Sequence, residues 1–207
     1  MKADSTIDAY NKNADKYADK FMDFEAYREK IRLFKKSYLP KGSGIFDVGC
    51  GPGNNAAFLM NLEAGYKIEG IDLSIEMINL AKRNAPECSF RVQDIRDINP
   101  DKDFDAIIAS FCIVHLSDAE TALLIQKISK MLKVNGSLYL SFMEGKKAGY
   151  ETTSFSDDNI FFNYYDRDWI AELLDENLIS VVELFSEPYQ ETDGSVTEDI
   201  FIFGKRR

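Results

Sequence analysis

Hydrophobic positions along the chain alternate between short runs of strand character and longer segments of helical periodicity. Each of five short runs predicts a strand, at residues 45–48, 67–72, 89–93, 104–110 and 137–142. Between the fourth and fifth runs, a capping box at Ser117 and Glu120 precedes apolar residues at helical spacing, which predicts a helix. The run at 104–110 is rich in apolar residues, as is typical of a strand inside a parallel sheet. The alternation predicts an α/β fold.

The N-terminal segment lies outside this alternation. Residues 1–41 predict two helices, each with aromatic residues at helical spacing. The first is marked by Tyr10, Ala14 and Tyr17, and the second by Tyr27, Ile31, Phe34 and Tyr38. Pro40 and Gly42 end the second helix. We expect these helices to form a cap on the sheet.

The C-terminal third also departs from the regular order. Residues 143–165 mix acidic and aromatic side chains, which predicts a loop or short insertion at the carboxyl edge of the sheet, where ligands bind in such folds. A helix at 166–177 and strands at 179–185 and 199–203 follow, and the two strands are joined through Asp193 and Gly194. A chain of 207 residues with these elements predicts a single domain spanning residues 1–207.

Glycines at every second position follow the first predicted strand. Strand 45–48 leads directly into Gly49, Gly51 and Gly53, and a helix-compatible segment comes next, so a helix N-terminus would face a ligand. A phosphate-binding P-loop would need a lysine here, but residues 43–65 contain neither lysine nor arginine. A dinucleotide fingerprint would need a third glycine where Asn54 stands.

Acidic residues follow the next two predicted strands. Asp72 lies 19 residues after Gly53, about where a carboxylate accepts hydrogen bonds from a ribose diol. This feature predicts a nucleoside without selecting the cofactor. Ser74 predicts the N-cap of the next helix, in which Met77 is either a core residue or a contact of the adenine.

The residues Asp47, Gly49, Gly51 and Gly53 fit the pattern (hydrophobic)-D-x-G-x-G-x-G, which resembles the first motif of class I S-adenosylmethionine-dependent methyltransferases. The resemblance extends over essentially the whole chain. It implies a Rossmann-like sheet of seven strands with the last strand antiparallel. It also implies S-adenosyl-L-methionine as cofactor and S-adenosyl-L-homocysteine as product.

The same resemblance assigns cofactor-binding roles residue by residue. The pattern Tyr10, Asn13, Ala14, Tyr17 is similar to the N-terminal helix that closes over the cofactor in small-molecule methyltransferases of this family. Asp94 and Ile95 would hold the adenine amino group and cover the ring, and the backbone after the fourth strand would meet the methionine part. The complete set is Tyr10, Tyr17, Asp47, Gly49, Cys50, Gly51, Gly53, Asp72, Leu73, Met77, Asp94, Ile95, Ser110 and Phe111.

Substrate contacts are expected from the aromatic segment 143–165. We expect Tyr150, Phe161, Tyr164 and Tyr165 to select the substrate. The single histidine, His115, lies five residues after Ser110 and is a candidate general base. It could instead hold the strand-to-helix turn by hydrogen bonding. In-line transfer of a methyl group from a sulfonium to an oxygen, nitrogen or sulfur nucleophile requires no particular catalytic group beyond correct positioning.

The composition of the chain limits the classes of molecule that it is expected to bind. The net charge of −10 disfavours nucleic acid, whose binding depends on Lys and Arg, although a basic helix surface (Arg28, Lys30, Arg32, Lys35, Lys36) and the tail 205–207 favour it. The segment after Ser110 also lacks the proline pair common in enzymes that methylate planar amide or base nitrogens. We expect a small-molecule substrate, no membrane span, and a monomer or homodimer.

The three cysteines include no C-x-x-C pair, so a reduced, cytoplasmic protein without a metal site is expected. Two alternatives stay open. One is a nicotinamide-dependent oxidoreductase, and the other is a cofactor-binding protein that has no transfer activity.

Overall fold

The computed structural model describes residues 2–191 and 194–207, with side chains from Ser5 onward. Nine strands are described: β1 (Gly44–Val48), β2 (Lys67–Asp72), β3 (Ser89–Val92), β4 (Phe104–Ser110), β5 (Leu132–Glu144), β6 (Gly149–Thr153), β7 (Ser156–Phe162), β8 (Ile179–Gln190) and β9 (Val196–Arg206). Seven α-helices accompany them: α1 (Lys2–Lys12), α2 (Ala14–Phe21), α3 (Glu25–Tyr38), α4 (Asn54–Leu62), α5 (Ile75–Asn84), α6 (Asp118–Met131) and α7 (Arg167–Glu176).

Seven of the strands form one sheet in the order β3-β2-β1-β4-β5-β9-β8. Strands β1 to β5 pair in parallel, whereas β9 inserts antiparallel between β5 and β8. This confirms the predicted seven-stranded fold with an antiparallel last strand. The carboxyl ends of β1, β2 and β4 therefore meet at one edge, with the strand order reversing on either side of β1.

Two apolar clusters cover the two faces of the sheet. One joins α6 and α7 to the sheet around Ile107, Leu140 and Ile202, and the other joins α3, α4 and α5 around Ile45, Ile108 and Phe203. The predicted capping box is present at the start of α6, where Ser117 and Glu120 exchange hydrogen bonds.

The N-terminal cap has three helices, so the prediction of two was wrong. The chain leaves helical geometry at Asn13, which separates α1 from α2. The side-chain amide nitrogen (Nδ2) of Asn13 donates hydrogen bonds to the carbonyl oxygen of Ala9 (2.9 Å) and to the hydroxyl of Ser156 (3.0 Å). An asparagine side chain that bonds to backbone competes with the helix, and here it also ties the cap to the 143–165 segment.

That segment contains a β-hairpin rather than a loop. Strands β6 and β7 pair antiparallel as a separate two-stranded sheet, and β7 packs against α1. The predicted turn at Asp193 and Gly194 falls partly outside the described residues, since Asp193 is not described. Within the described ranges, no helix is long and apolar enough to cross a membrane.

Candidate active site

The glycine loop after β1 brings three chain segments into close contact. A Cβ atom on Gly49 would lie 2.4 Å from Cβ of Cys112, so the loop after β4 could not approach as it does. A Cβ atom on Gly53 would lie 3.0 Å from Cα of Ala81, so this glycine lets α4 pack against α5. Gly49, Gly51 and Gly53 all have positive φ, between 53° and 79°.

A cavity of about 260 Å³ lies between this loop, the ends of β2 and β4, and the helical cap. Most of the residues expected to bind a cofactor line it: Tyr10, Tyr17, Gly49, Gly51, Asp72, Leu73, Met77, Asp94, Ile95, Ser110 and Phe111. His115 and Phe161 line it as well. The side chains that the sequence marks from five separate segments thus converge on one cavity.

Asp72 is held rigidly at the end of β2. Its Oδ2 accepts a hydrogen bond from the Gly51 amide and its Oδ1 from the Ser74 amide, both at 2.9 Å. Burial raises the pKa of this carboxyl, and these backbone hydrogen bonds lower it. Ser74 also caps α5 as predicted, and its hydroxyl donates to Oδ1 of Asn11 at 2.6 Å, which links the cap to the loop after β2.

Asp47 lies behind the loop and does not line the cavity. It is 1% exposed and has no lysine or arginine partner among the described residues, and its hydrogen-bonding neighbour is the Asn55 side chain. Burial, and next the Asp72 carboxylate, raise the pKa of Asp47 to about 7. A buried carboxylate is costly unless it is paired or protonated, so a cation bound in the neighbouring cavity would favour the charged form of Asp47.

His115 connects the floor of the cavity to the cap. Its Nδ1 lies 2.9 Å from the carbonyl oxygen of Phe161, which can only accept, so Nδ1 carries the proton. Nε2 is therefore the acceptor, and it accepts a hydrogen bond from the Tyr10 hydroxyl at 3.0 Å. Burial lowers the pKa of His115 to about 4, so the ring is neutral at pH 7 and its lone pair is engaged.

Asp94 already has a partner. Both of its carboxylate oxygens lie 3.0 Å from Nε of Arg96, and Arg96 also contacts Glu120 at 3.1 Å. Hydrogen bonds from Arg96 keep the pKa of Asp94 below its usual value even though burial raises it. Any ligand group that binds Asp94 must share this carboxylate with Arg96.

Three residues of the expected cofactor set do not line the cavity. They are Asp47, Gly53 and Cys50; the last is 1% exposed in the core beneath the loop. They lie in or beneath the glycine loop, so their contact with a cofactor stays a prediction. Tyr165 is a further correction: it is 2% exposed, with its hydroxyl 2.9 Å and 2.8 Å from the carbonyl oxygens of Ile113 and Leu116. It belongs to the core and cannot touch a substrate in this arrangement.

The other expected substrate residues are dispersed. Tyr150 is 47% exposed on the hairpin and lines neither this cavity nor the one beside it. Tyr164 lines the adjoining cavity, which measures about 110 Å³ and shares Tyr10, Tyr17 and Phe111 with the first. Phe111 adopts a left-handed backbone conformation (φ 50°), which is unfavourable for a bulky residue and is held by a bond from its amide to the Ser141 carbonyl.

Sequence reasoning missed several lining residues. They are Thr6, Ile7, Arg96, Cys112, Leu116, Ser117 and Glu120. Arg96 and Glu120 could have been anticipated, because each follows a predicted strand or opens a predicted helix at the carboxyl edge. Thr6 and Ile7 lie on α1 ahead of the pattern that begins at Tyr10, and they belong to no motif of their own.

Comparisons with known proteins agree with this geometry. A family model described as "Methyltransferase domain" matches residues 45–136. Trans-aconitate 2-methyltransferase of Enterobacter sp. (strain 638) is 36% identical over 114 residues, which are 55% of this chain and 44% of that protein. The chain spans less than half the length of the curated relatives it matches first.

Solved structures show a similar fold. Magnesium protoporphyrin IX methyltransferase of Synechocystis PCC 6803, with bound SAM, superposes with a TM-score of 0.71 at 18% identity, over 97% of this chain and 94% of that one. The [4+2]-cyclase SpnF superposes with a TM-score of 0.69 at 16% identity, over 88% and 81%. At such low identity these matches show the fold alone, and the second belongs to a protein named for another reaction.

Proposed function

We propose that the chain is a class I S-adenosylmethionine-dependent methyltransferase, which binds S-adenosylmethionine in the 260 Å³ cavity and transfers the methyl group to a small molecule. One observation carries the proposal. The buried carboxylate of Asp47 has no lysine or arginine partner among the described residues, and it lies behind the glycine loop that lines the cavity with Gly49 and Gly51. A cofactor that carries a sulfonium and an ammonium brings positive charge towards this carboxylate, whereas a pyrophosphate would add negative charge.

The lining residues fit such a cofactor. Asp72 is fixed by two backbone amides and retains acceptor capacity for the two hydroxyls of a ribose. Met77, Leu73 and Ile95 offer apolar contacts, which suit a flat base. Ser110 and Phe111 present backbone at the end of β4, where the methionine part would lie.

When bound, the cofactor supplies a methyl group on sulfur, and the thioether that leaves is a good leaving group. The chain's own residues position the nucleophile and exclude water, which can account for most of the acceleration. The ring of Tyr10 lies over the cavity and is fixed by its hydroxyl bond to Nε2 of His115. We assign His115 a positioning role, since its lone pair is occupied and its pKa of about 4 leaves it a weak base.

Charge pairing supports a small-molecule substrate. Four of the five basic residues on α3 have acidic partners: Arg28 with Asp23, Lys30 with Glu187, Arg32 with Glu25 and Glu29, and Lys35 with Glu63. The helix therefore offers little free positive charge to a phosphate backbone. Free Cys50, Cys88 and Cys112 suit a reducing compartment, and we place the protein in the cytoplasm.

The proposal is tested by the ligand that the purified protein carries. Heat release followed by mass spectrometry should yield S-adenosylmethionine or S-adenosylhomocysteine. Release of a nicotinamide dinucleotide would overturn it. Mobility-shift titration with RNA and DNA near 150 mM salt should show no micromolar complex, and a salt-sensitive complex would overturn the small-molecule assignment.

A further inference from the structure

The adjoining 110 Å³ cavity has walls of two chemical kinds. Aromatic rings from the cap, the hairpin segment, the loop after β4 and strand β8 form most of it. Tyr27 stacks on Phe111 with ring centroids 4.9 Å apart, and Tyr17 meets the edge of Phe155 at 5.1 Å. The rest of the wall includes three carboxylates, those of Glu151, Glu191 and Asp199.

Asp199 is the most deeply buried of these carboxylates. It is 3% exposed on β9, and its Oδ2 accepts a hydrogen bond from the Tyr27 hydroxyl at 2.8 Å. Among the described residues, its Oδ1 accepts no hydrogen bond and no lysine or arginine forms an ion pair with it. Burial raises the pKa of Asp199 to about 7, and the nearby Glu191, Glu198 and Glu187 act in the same direction.

The other two carboxylates differ in their pairing. Glu151 is paired with Lys146 at 3.1 Å. Glu191 accepts a hydrogen bond from the Thr197 hydroxyl at 2.9 Å, and no described cation is paired with it. The cavity thus holds two carboxylates whose charge is not balanced by a described lysine or arginine.

Cations are confined to the rim. No lysine or arginine lines the cavity in the part of the chain that is described. Lys20 contacts the hydroxyls of Ser154 and Tyr189 and lies 5.0 Å above the ring of Phe21. Lys146 is engaged by Glu151. An anionic substrate would therefore face Asp199 and Glu191 without a dedicated partner inside the cavity.

We infer that the substrate carries a protonated amine, which the Asp199 carboxylate and the surrounding aromatic rings bind in this cavity. The inference rests on the methyltransferase function proposed above. A desolvated ammonium donates a charge-assisted hydrogen bond to a carboxylate and is also attracted to the faces of the aromatic rings by cation–π interaction. Tyr10, Tyr17 and Phe111 separate the two cavities, so a molecule bound here lies next to the cofactor cavity. The aromatic walls suit an apolar or aryl body on the same molecule.

Calorimetry on the full chain, saturated with S-adenosylhomocysteine, tests the inference with ethylamine, benzylamine, benzyl alcohol and benzoate. Benzylamine should bind at least about 10-fold more tightly than benzyl alcohol, with benzoate weakest. Asp199→Asn keeps the size of the side chain and removes its charge. The substitution should weaken the binding of benzylamine by about 10- to 150-fold, the range expected for the loss of a hydrogen bond to a charged group. Asp157→Asn is the matched control, because Asp157 is exposed on the hairpin and does not line the cavity.

Tighter binding of benzoate, failure of both amines to bind, or an unchanged affinity in Asp199→Asn would contradict the inference. If Asp199→Asn does not fold, Glu191→Gln should still weaken benzylamine by a smaller factor, and no change there would also contradict it. The heat of S-adenosylhomocysteine binding is measured first. Its absence would count against the proposed function, whereas its presence without amine selectivity counts against the substrate class alone.

Discussion

The hydroxyl of Tyr10 lies 3.0 Å from Nε2 of His115, and this contact joins helix α1 to the floor of the candidate active site. The two residues are 105 positions apart, and the other nitrogen of the histidine ring is bonded to the hairpin at Phe161. Cap, floor and hairpin are therefore held by one neutral imidazole. Loss of either bond should loosen the closure over the cavity.

His115→Ala should behave as the loss of a positioning residue. It removes two partly buried hydrogen bonds, so we expect a free energy of unfolding lower by about 1–3 kcal/mol. Affinity for S-adenosylhomocysteine should fall with it. The rate profile of the wild type should show no ionisation of His115 between pH 5 and 8, because its pKa is about 4. A rate loss of about 10²- to 10⁴-fold with unchanged cofactor affinity would instead identify a general base.

Asp72→Ala should weaken cofactor binding without unfolding the protein. Hydrogen bonds to a charged group are worth roughly 1.5–3 kcal/mol, which corresponds to about 10- to 150-fold in affinity. Titration calorimetry with S-adenosylhomocysteine measures this directly. Asp157→Asn, at an exposed position on the hairpin, is the control and should bind as the wild type does. Equal affinities in Asp72→Ala and Asp157→Asn would exclude Asp72 from the cofactor site.

Asp47→Asn should stabilise the free protein at alkaline pH. The pKa of Asp47 is raised from 3.8 to about 7 in the folded state, so the folded chain holds a proton that the unfolded chain has lost between about pH 4 and pH 7. The stability contributed by this group consequently falls as pH rises through that window. At pH 8 the variant should be more stable by about 1–4 kcal/mol, with the advantage vanishing near pH 4.

Urea denaturation of the wild type and Asp47→Asn at pH 5 and pH 8 checks this. Affinity for S-adenosylmethionine should decrease in the variant, since the buried negative charge is lost. A variant that is destabilised equally at both pH values would contradict this and would show that the Asp47 carboxylate is stabilised in the free protein by a neighbour such as Asn55.

Two substitutions test which of the neighbouring tyrosines belongs to the core and which lines the second cavity: Tyr165→Phe and Tyr164→Ala. The Tyr165 hydroxyl satisfies backbone carbonyls in the core, so its removal should lower stability by about 1–3 kcal/mol and leave the Michaelis constant for substrate unchanged. Tyr164 lines the second cavity, so Tyr164→Ala should raise that constant. Chemical denaturation and steady-state kinetics of both variants measure the two effects. A raised Michaelis constant in Tyr165→Phe, with none in Tyr164→Ala, would show that Tyr165 contacts the substrate.

The periodicity of the sequence was sufficient to predict the sheet and the glycine loop. The spacing of Gly49, Gly51 and Asp72 located the cavity because the carboxyl ends of parallel strands must meet at one edge. Sequence periodicity was insufficient to predict the three helices of the cap and the hairpin. The helix break at Asn13 depends on hydrogen bonds to residues more than 140 positions away. Tyr164 and Tyr165 are identical in chemistry and adjacent in sequence, but tertiary packing places Tyr164 in the wall of a cavity and Tyr165 in the core.

Binding of S-adenosylmethionine in the 260 Å³ cavity can be measured by titration calorimetry of the full chain with S-adenosylmethionine, S-adenosylhomocysteine and NAD in parallel. We expect saturable binding of the first two, weakened in Asp72→Ala, and no binding of NAD. Binding of NAD with none of S-adenosylmethionine would contradict it.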